Sequence, residues 1–366
     1  MQYFSVPADF NEETIDKYFK LNSKYKNKCV KETYGQITTD NKLSSGRLSV
    51  PKVNFDKLER YVKYSKKKGI DFSYTLNGLS MNNMEFTKDG IEDIVSFLHK
   101  IYNLGIRNLT VAMPSLIELI ISTNLNFNIK ASTICQITNS NKADNYKRLG
   151  VNRIVVDESI NRKFNNLKDI RNSFGENVEI IVNSICNKDC IYRMFHYNQI
   201  ANDYPRVKSN AGIKYYPNRC MLWRYNNISN ILKLAWIRPE DIKYYSDIGI
   251  NFFKIQGRQL VLVGNPVRTI ECYFKESFDG NLFELLNLFT PNFQNDIFID
   301  NKKLDGFIIP FVKGKLCNSN CNECSYCVEK ANSIGLQKQY KLKNIINDYI
   351  SKHDDFTKMV KFISKN

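Results

Sequence analysis

This 366-residue sequence predicts an α/β fold that closes into a (β/α)8 TIM-like barrel. Three observations carry that expectation. Eight short runs rich in β-branched and aromatic residues are spread over residues 1–260. Longer stretches with apolar residues three and four apart separate most of them. No G-x-G-x-x-G follows the first run, which disfavours the alternative, an open doubly wound sheet with a dinucleotide turn.

In order, the strands are predicted at 3–6 (YFSV), 29–34 (CVKETY), 72–76 (FSYTL), 108–112 (NLTVA), 129–133 (IKAST), 153–156 (RIVV), 178–183 (VEIIVN) and 252–256 (FFKIQ). Each is short enough to be buried, as parallel barrel strands are. The helix pattern is clearest at 91–105, where Gly105 stands where a glycine would end the helix. Residues 191–250 are too long for one strand-to-helix connection. They predict an insertion after strand seven, with an apolar run at 232–237 (LKLAWI) and a helix start at 238–249 (RPEDIKYYSDIG). The expected division is a barrel over 1–260 and an extension over 261–366, comprising a helical part, a cysteine-rich segment (317–327) and a basic helical tail.

Composition narrows the classes. Hydrophobic residues make up 43% and charged residues 25%, as in an ordinary globular protein, and no apolar run reaches the roughly 18–20 residues of a membrane span. The opening MQYFSVPADFNEE lacks the basic-then-apolar pattern of a secretory leader, so the cytoplasm is the expected compartment. Thiols stay reduced there and are available to iron or zinc. Lys and Arg total 53 against 37 Asp and Glu, a net charge of +16. This points to RNA as a polyanionic partner, or else reflects a Lys- and Asn-rich composition whose excess is dispersed apart from 63–69 and the tail.

Six of the ten cysteines fall in two clusters. Cys317, Cys321, Cys324 and Cys327 form C-x3-C-x2-C-x2-C, too close for long-range disulfides and suited to one tetrahedral zinc ion or one 4Fe–4S cluster. Its first three cysteines resemble the spacing of the radical S-adenosylmethionine family, although the segment follows the barrel and Glu323 precedes the third cysteine. A metal there would serve as an auxiliary or structural centre. Cys186 and Cys190 come directly after strand seven, where a barrel places its chemistry, and Cys220 of the insertion is the expected third thiolate. Three thiolates would hold a 4Fe–4S cluster with one iron open; Cys29, Cys135 and Cys272 are the alternatives for a fourth ligand. The polar residues expected near the same rim, as candidate catalytic groups, are Asn77, Glu158, Arg193, His196, Lys254 and Arg258.

Several segments, taken together in order, resemble the peptidase U32 family of iron–sulfur barrel proteins: YFSVPAD (3–9), KETYG (31–35), YTLN (74–77), KAST (130–133), LGVNRIVVDES (149–159), the cysteine segment after VEIIVN, and FKIQGR (253–258). The last is similar to that family's lysine-x-glutamate-glycine-arginine block, with Gln256 in place of the acid. The resemblance implies a barrel with a 4Fe–4S cluster held after strand seven and in the insertion. It also implies oxygen-independent hydroxylation of RNA bases or small aromatic molecules, with an electron donor, or peptidase activity. This chain departs from the family at NSI (183–185), where histidine-glycine-alanine is usual. It also has Trp236 where a later cysteine is expected, and the C-terminal four-cysteine motif is additional. For a peptidase, only His196 among His99, His196 and His353 lies beside candidate chemistry, and no G-x-S-x-G or H-E-x-x-H is present. A thiolate that holds iron is not free to attack a carbonyl. The expected function is therefore iron–sulfur-dependent modification of RNA or another substrate. A U32-type peptidase acting on peptides and a non-catalytic iron–sulfur subunit are the alternatives.

Overall fold

Eight strands close into a barrel in sequence order. They are β1 (Gln2–Pro7), β2 (Lys28–Gly35), β3 (Asp71–Leu76), β4 (Asn108–Val111), β5 (Asn128–Ala131), β6 (Arg153–Val155), β7 (Val178–Ile181) and β8 (Phe252–Lys254). Each falls on one of the eight predicted runs. The computed structural model describes residues 1–39, 43, 51–203, 215–286, 297–317 and 320–336, with 347, 348, 350, 351, 354 and 358. All neighbouring strands are parallel, and the ring shuts where Tyr3, Phe4 and Ser5 of β1 lie beside Phe252, Phe253 and Lys254 of β8.

Helices connect the strands on the outside: α1 (Glu12–Lys24), α2 (Phe55–Lys67), α3 (Lys88–Asn103), α4 (Pro114–Ser122), α5 (Ser140–Arg148) and α6 (Phe164–Phe174). Local chemistry starts and stops them. Asn11, Asn54, Thr87 and Asn139 each accept a backbone N–H of the helix they open. Gly105 follows α3 at φ +87°, the left-handed conformation that favours glycine at a helix end.

The insertion after β7 folds into α7 (Arg193–Asp203), α8 (Tyr215–Asn226), a 3-10 turn at Ile228–Lys233 and α9 (Ile242–Ser246). Its apolar run is buried, and Ile237 N–H donates to Val182 O, tying the insertion to the chain just past β7. The helix α10 (Pro266–Lys275) follows β8 and packs back on β1, with Phe274 and Tyr273 rings 5.2 and 6.1 Å from Phe4. It occupies the place of the eighth barrel helix, so the boundary expected at 260 falls ahead of it.

Two features position the site. Inside the barrel the chain places charge: Lys130 Nζ lies 2.8 Å from Glu179 and also pairs with Glu32, while Arg153 reaches both carboxylates at 3.4 and 3.3 Å. Beyond the barrel, Phe307 stacks between Trp236 and Tyr326 at 5.9 and 5.5 Å. The Arg162 guanidinium lies 4.5 Å from the Trp236 ring and 5.0 Å from Phe307, worth about 1–2 kcal/mol when desolvated. Helix Tyr326–Ser333 thereby docks on the turn Ile228–Lys233. Most of the expected basic tail, His353 included, lies outside the described residues, as do residues 204–214 of the insertion. Among the described residues no helix is long and apolar enough to cross a membrane.

Candidate functional site

The segment after β7 carries Cys186 and Cys190 on a loop clamped by two arginines. Arg193, at the start of α7, donates to Asn187 O at 2.6 Å and to Asp157 at 2.5 Å. Arg224 of α8 donates to Ile185 O at 2.7 Å and Asn187 Oδ1 at 3.3 Å. Cys220 lies four residues before Arg224, on the same face of α8. Cys186, Cys190 and Cys220 therefore line one cavity of about 170 Å3 with Arg193, His196, Tyr197, Met221 and Arg224.

Charge in this cavity favours a thiolate. The Cys220 thiol donates a hydrogen bond to Cys190 and is the largest influence holding Cys190 down, to about 6. The backbone at Tyr192 and the two guanidiniums act in the same direction, as expected for a cysteine ahead of a helix. That same bond, then burial, raises Cys220, so the pair shares one proton. Burial and Glu158 raise Cys186, against Arg193 and Arg224. Thiolates with guanidinium counter-charges are a soft donor set, chemically suited to iron–sulfur ligation. Among the described residues no three His, Cys, Asp or Glu side chains are gathered as ligands of a single metal ion.

The other predicted residues divide into two groups. Asn77, Lys254 and Arg258 line the barrel mouth with Tyr34, Ser132, Thr133, Tyr197 and Gln256 around a cavity of about 50 Å3. Gly257 adopts φ +131°, a conformation strained for other residues, and this turn folds Arg258 back into the mouth. There it donates to Thr75 at 2.7 Å, Gln36 at 3.0 Å and Asn77 at 3.4 Å. Lys254 sits deeper than the rim position expected of it, 7% exposed, with Nζ 3.9 Å from Glu179 and 4.1 Å from the Tyr34 ring. Burial, then the Lys130 charge, holds it down to about 7 against the pull of Glu179.

Glu158, Arg193 and His196 belong to the thiol side. Glu158 is buried, accepts from Thr133 at 2.9 Å and Arg193 at 3.4 Å, and its Oε1 has no hydrogen-bond partner among the described residues. Its burial raises its pKa. His196 is half-buried, its ring parallel to that of Tyr197. Tyr197 lines both cavities, and Thr133 of the mouth holds Glu158 of the thiol side, so the two groups form one continuous site.

Cys29, Cys135 and Cys272 are not brought to it. Cys29 is at the N-terminal end of β2, Cys272 is on α10, and Cys135 is buried with its thiol 3.4 Å from Ala112 O. Sequence reasoning missed Arg224, Tyr197 and the charged interior. The interior had a signal: Lys130 and Glu179 are charged residues inside short, mostly apolar strands.

The C-terminal cysteines are close by. Cys317, Cys321, Cys324 and Cys327 line one small cavity with Lys233, Phe311, Leu316 and Tyr326. Cys317, Cys321 and Cys327 also face a second cavity, shared with Glu158, Arg162, Lys188 and Ala235.

The model of peptidase family U32 matches residues 37–204. An uncharacterized protease of Methanocaldococcus jannaschii is 32% identical over 336 residues, covering 89% of this chain and 96% of that protein. The solved structure of the U32 peptidase Mk0906 superposes with a TM-score of 0.52 at 16% identity, covering 70% of this chain and 92% of the other, a likeness of fold. With the barrel, the motif order and this relative in agreement, the chain belongs to peptidase family U32.

Proposed function

We propose that this chain is an iron–sulfur-dependent modification enzyme, with a 4Fe–4S cluster on Cys186, Cys190 and Cys220 and a substrate bound at the adjoining barrel mouth. The observation that carries the reading is the convergence of these three thiols, from two separate segments, on one arginine-flanked cavity at the C-terminal end of β7. A four-iron cluster has width of its own and bridges thiolates more widely spaced than the ligands of one zinc ion, whose metal–sulfur bonds are about 2.3 Å. Bound there, the cluster would supply one-electron or Lewis-acid chemistry, with an electron donor outside the chain. The chain's own residues do the rest. Arg193 and Arg224 balance thiolate charge, Arg258 and Asn77 present donors to a polar substrate group, and Lys254 is poised near neutrality to hold or release a proton at Nζ. The net charge of +16 makes RNA the favoured substrate, ahead of a peptide or a small molecule.

A second reading, a peptidase with Cys190 as nucleophile and His196 beside it, is favoured by the thiolate character of Cys190 and by the protease description of the archaeal relative. Iron separates the two. Anaerobically purified protein is expected to carry at least about four irons with matching sulfide. Cys186→Ala should lose about four irons together with their share of the visible absorbance, while Cys29→Ala keeps the full complement. Peptide cleavage that persists after iron is stripped and disappears in Cys190→Ala would establish the peptidase instead.

A further inference from the structure

The four C-terminal cysteines are docked beside the barrel's site, and side chains of the chain itself make that docking. Trp236, Phe307 and Tyr326 stack, Arg162 lies over two of the rings and donates to Leu232 O and Trp236 O, and Tyr326 OH donates to Phe307 O at 3.1 Å. A metal used only to staple this segment would duplicate that anchor.

The cysteines also have two distinct sides. On the inner side, Cys317, Cys321 and Cys327 face a cavity walled by Glu158 and Lys188. Glu158 pairs with Arg193, which lines the cavity of Cys186, Cys190 and Cys220. Lys188 stands on the loop between Cys186 and Cys190. One layer of side chains and one loop thus separate the two groups of thiols. On the outer side, Cys321 and Cys324 alternate with the exposed Asn322, Glu323 and Ser325, within reach of an external partner. Lys233 lines the four-thiol cavity, and Arg162 and Lys188 line the inner cavity beside Cys317, placing positive charge next to a thiolate-bound centre.

We infer that Cys317, Cys321, Cys324 and Cys327 hold a second iron–sulfur cluster that relays single electrons from a surface donor to the barrel centre. The inference rests on the iron–sulfur reading above. A low-potential one-electron reductant gives an electron at the Cys321–Cys324 side. That electron passes inward across the Glu158 and Lys188 layer, so the outer centre is reoxidised as the barrel centre is reduced. No bond breaks and no proton moves in this step.

The test uses the full chain, purified without oxygen, with iron and zinc counted and dithionite as reductant. About eight irons per chain are expected, falling to about four in Cys324→Ser and to about four in Cys186→Ala. Electron paramagnetic resonance of the reduced wild type should show two spins broadened by mutual coupling, and each variant should return a single uncoupled spectrum. The wild-type coupling stands even if Cys324→Ser loosens the segment. Zinc at the C-terminal site, two uncoupled spins, or an iron count that Cys324→Ser leaves unchanged would overturn the relay. About four irons that vanish in Cys186→Ala alone would sink the relay and leave the barrel reading intact. No iron in any preparation would sink both.

Discussion

Burial and the neighbouring Lys130 ammonium hold the Lys254 amine down to about 7, against about 10.4 in an unfolded chain. Between those values the unfolded chain binds a proton that the folded chain does not, so stability rises with pH across that window. Below about 7 both states are protonated, and the folded state carries the full cost of an ammonium in the barrel. The expected result is that Lys254→Met is more stable than the parent at pH 7, by on the order of 3 kcal/mol, and that the gap narrows as the pH approaches 10. Urea unfolding of both proteins at three pH values measures it, and groups outside this charge network cancel in the difference. A gap independent of pH would mean that Lys254 titrates as an ordinary lysine. The contrast with Glu32 shows why two buried charges in one network behave differently. Burial opposes charge on Glu32 too, but Lys130 and Arg153 overcome it and hold the carboxyl down to about 2. Lys254 has Glu179, at 3.9 Å, and then Glu32 on its side, and together they do not offset burial and the Lys130 charge. The sequence flagged Lys254 from its block of neighbours but not its depth, because depth is set by strand register around the barrel and not by any local pattern.

At the scale of elements, the eight strands were legible because each is a short apolar run set off by a helical pattern, and the apolar faces of those helices bury against the ring. The role of α10 was not, since no change of composition marks the end of a barrel at residue 260. The docking of residues 317–327 was also hidden. It depends on Arg162, Trp236, Phe307 and Tyr326, four residues far apart in sequence whose meeting leaves no periodicity to read. That docking predicts a local weakness. Phe307 is 1% exposed and contacts both other rings, so Phe307→Ala should cost about 3–5 kcal/mol, taken mainly from the C-terminal segment. Hydrogen exchange should show the amides of helix Tyr326–Ser333 losing protection about a hundredfold while β1–β8 stay protected. Equal loss in the strands would mean that the segment and the barrel unfold as one unit.

The whole molecule joins a strong positive charge to a site gathered at one end of the barrel. Some lysines of the outer wall are paired locally: in the 63–69 run, Lys63 pairs with Glu59 at 2.6 Å and Lys68 with Asp16 at 2.8 Å, contacts of small energetic value. Around the site, Arg162 and Lys188 stand with Lys163 and Lys233 at the cavity facing the C-terminal cysteines, and Lys313 and Lys315 are exposed beside them on the chain. If RNA is the substrate, its phosphates meet this end first. Binding should then release counterions and weaken steeply with salt, about three-hundredfold between about 50 and 200 mM if about six phosphates of a single strand are neutralised. Charge reversal locates the surface. Lys163→Glu with Lys315→Glu should lower RNA affinity and make the salt slope shallower by about two, whereas Lys63→Glu with Lys67→Glu on α2 should change neither by more than a small factor. Fluorescence anisotropy with one short single-stranded RNA across a salt series reads both quantities at once. Affinity that ignores salt, or equal losses from the two pairs, would detach the charge from the site and remove RNA as the partner of this face.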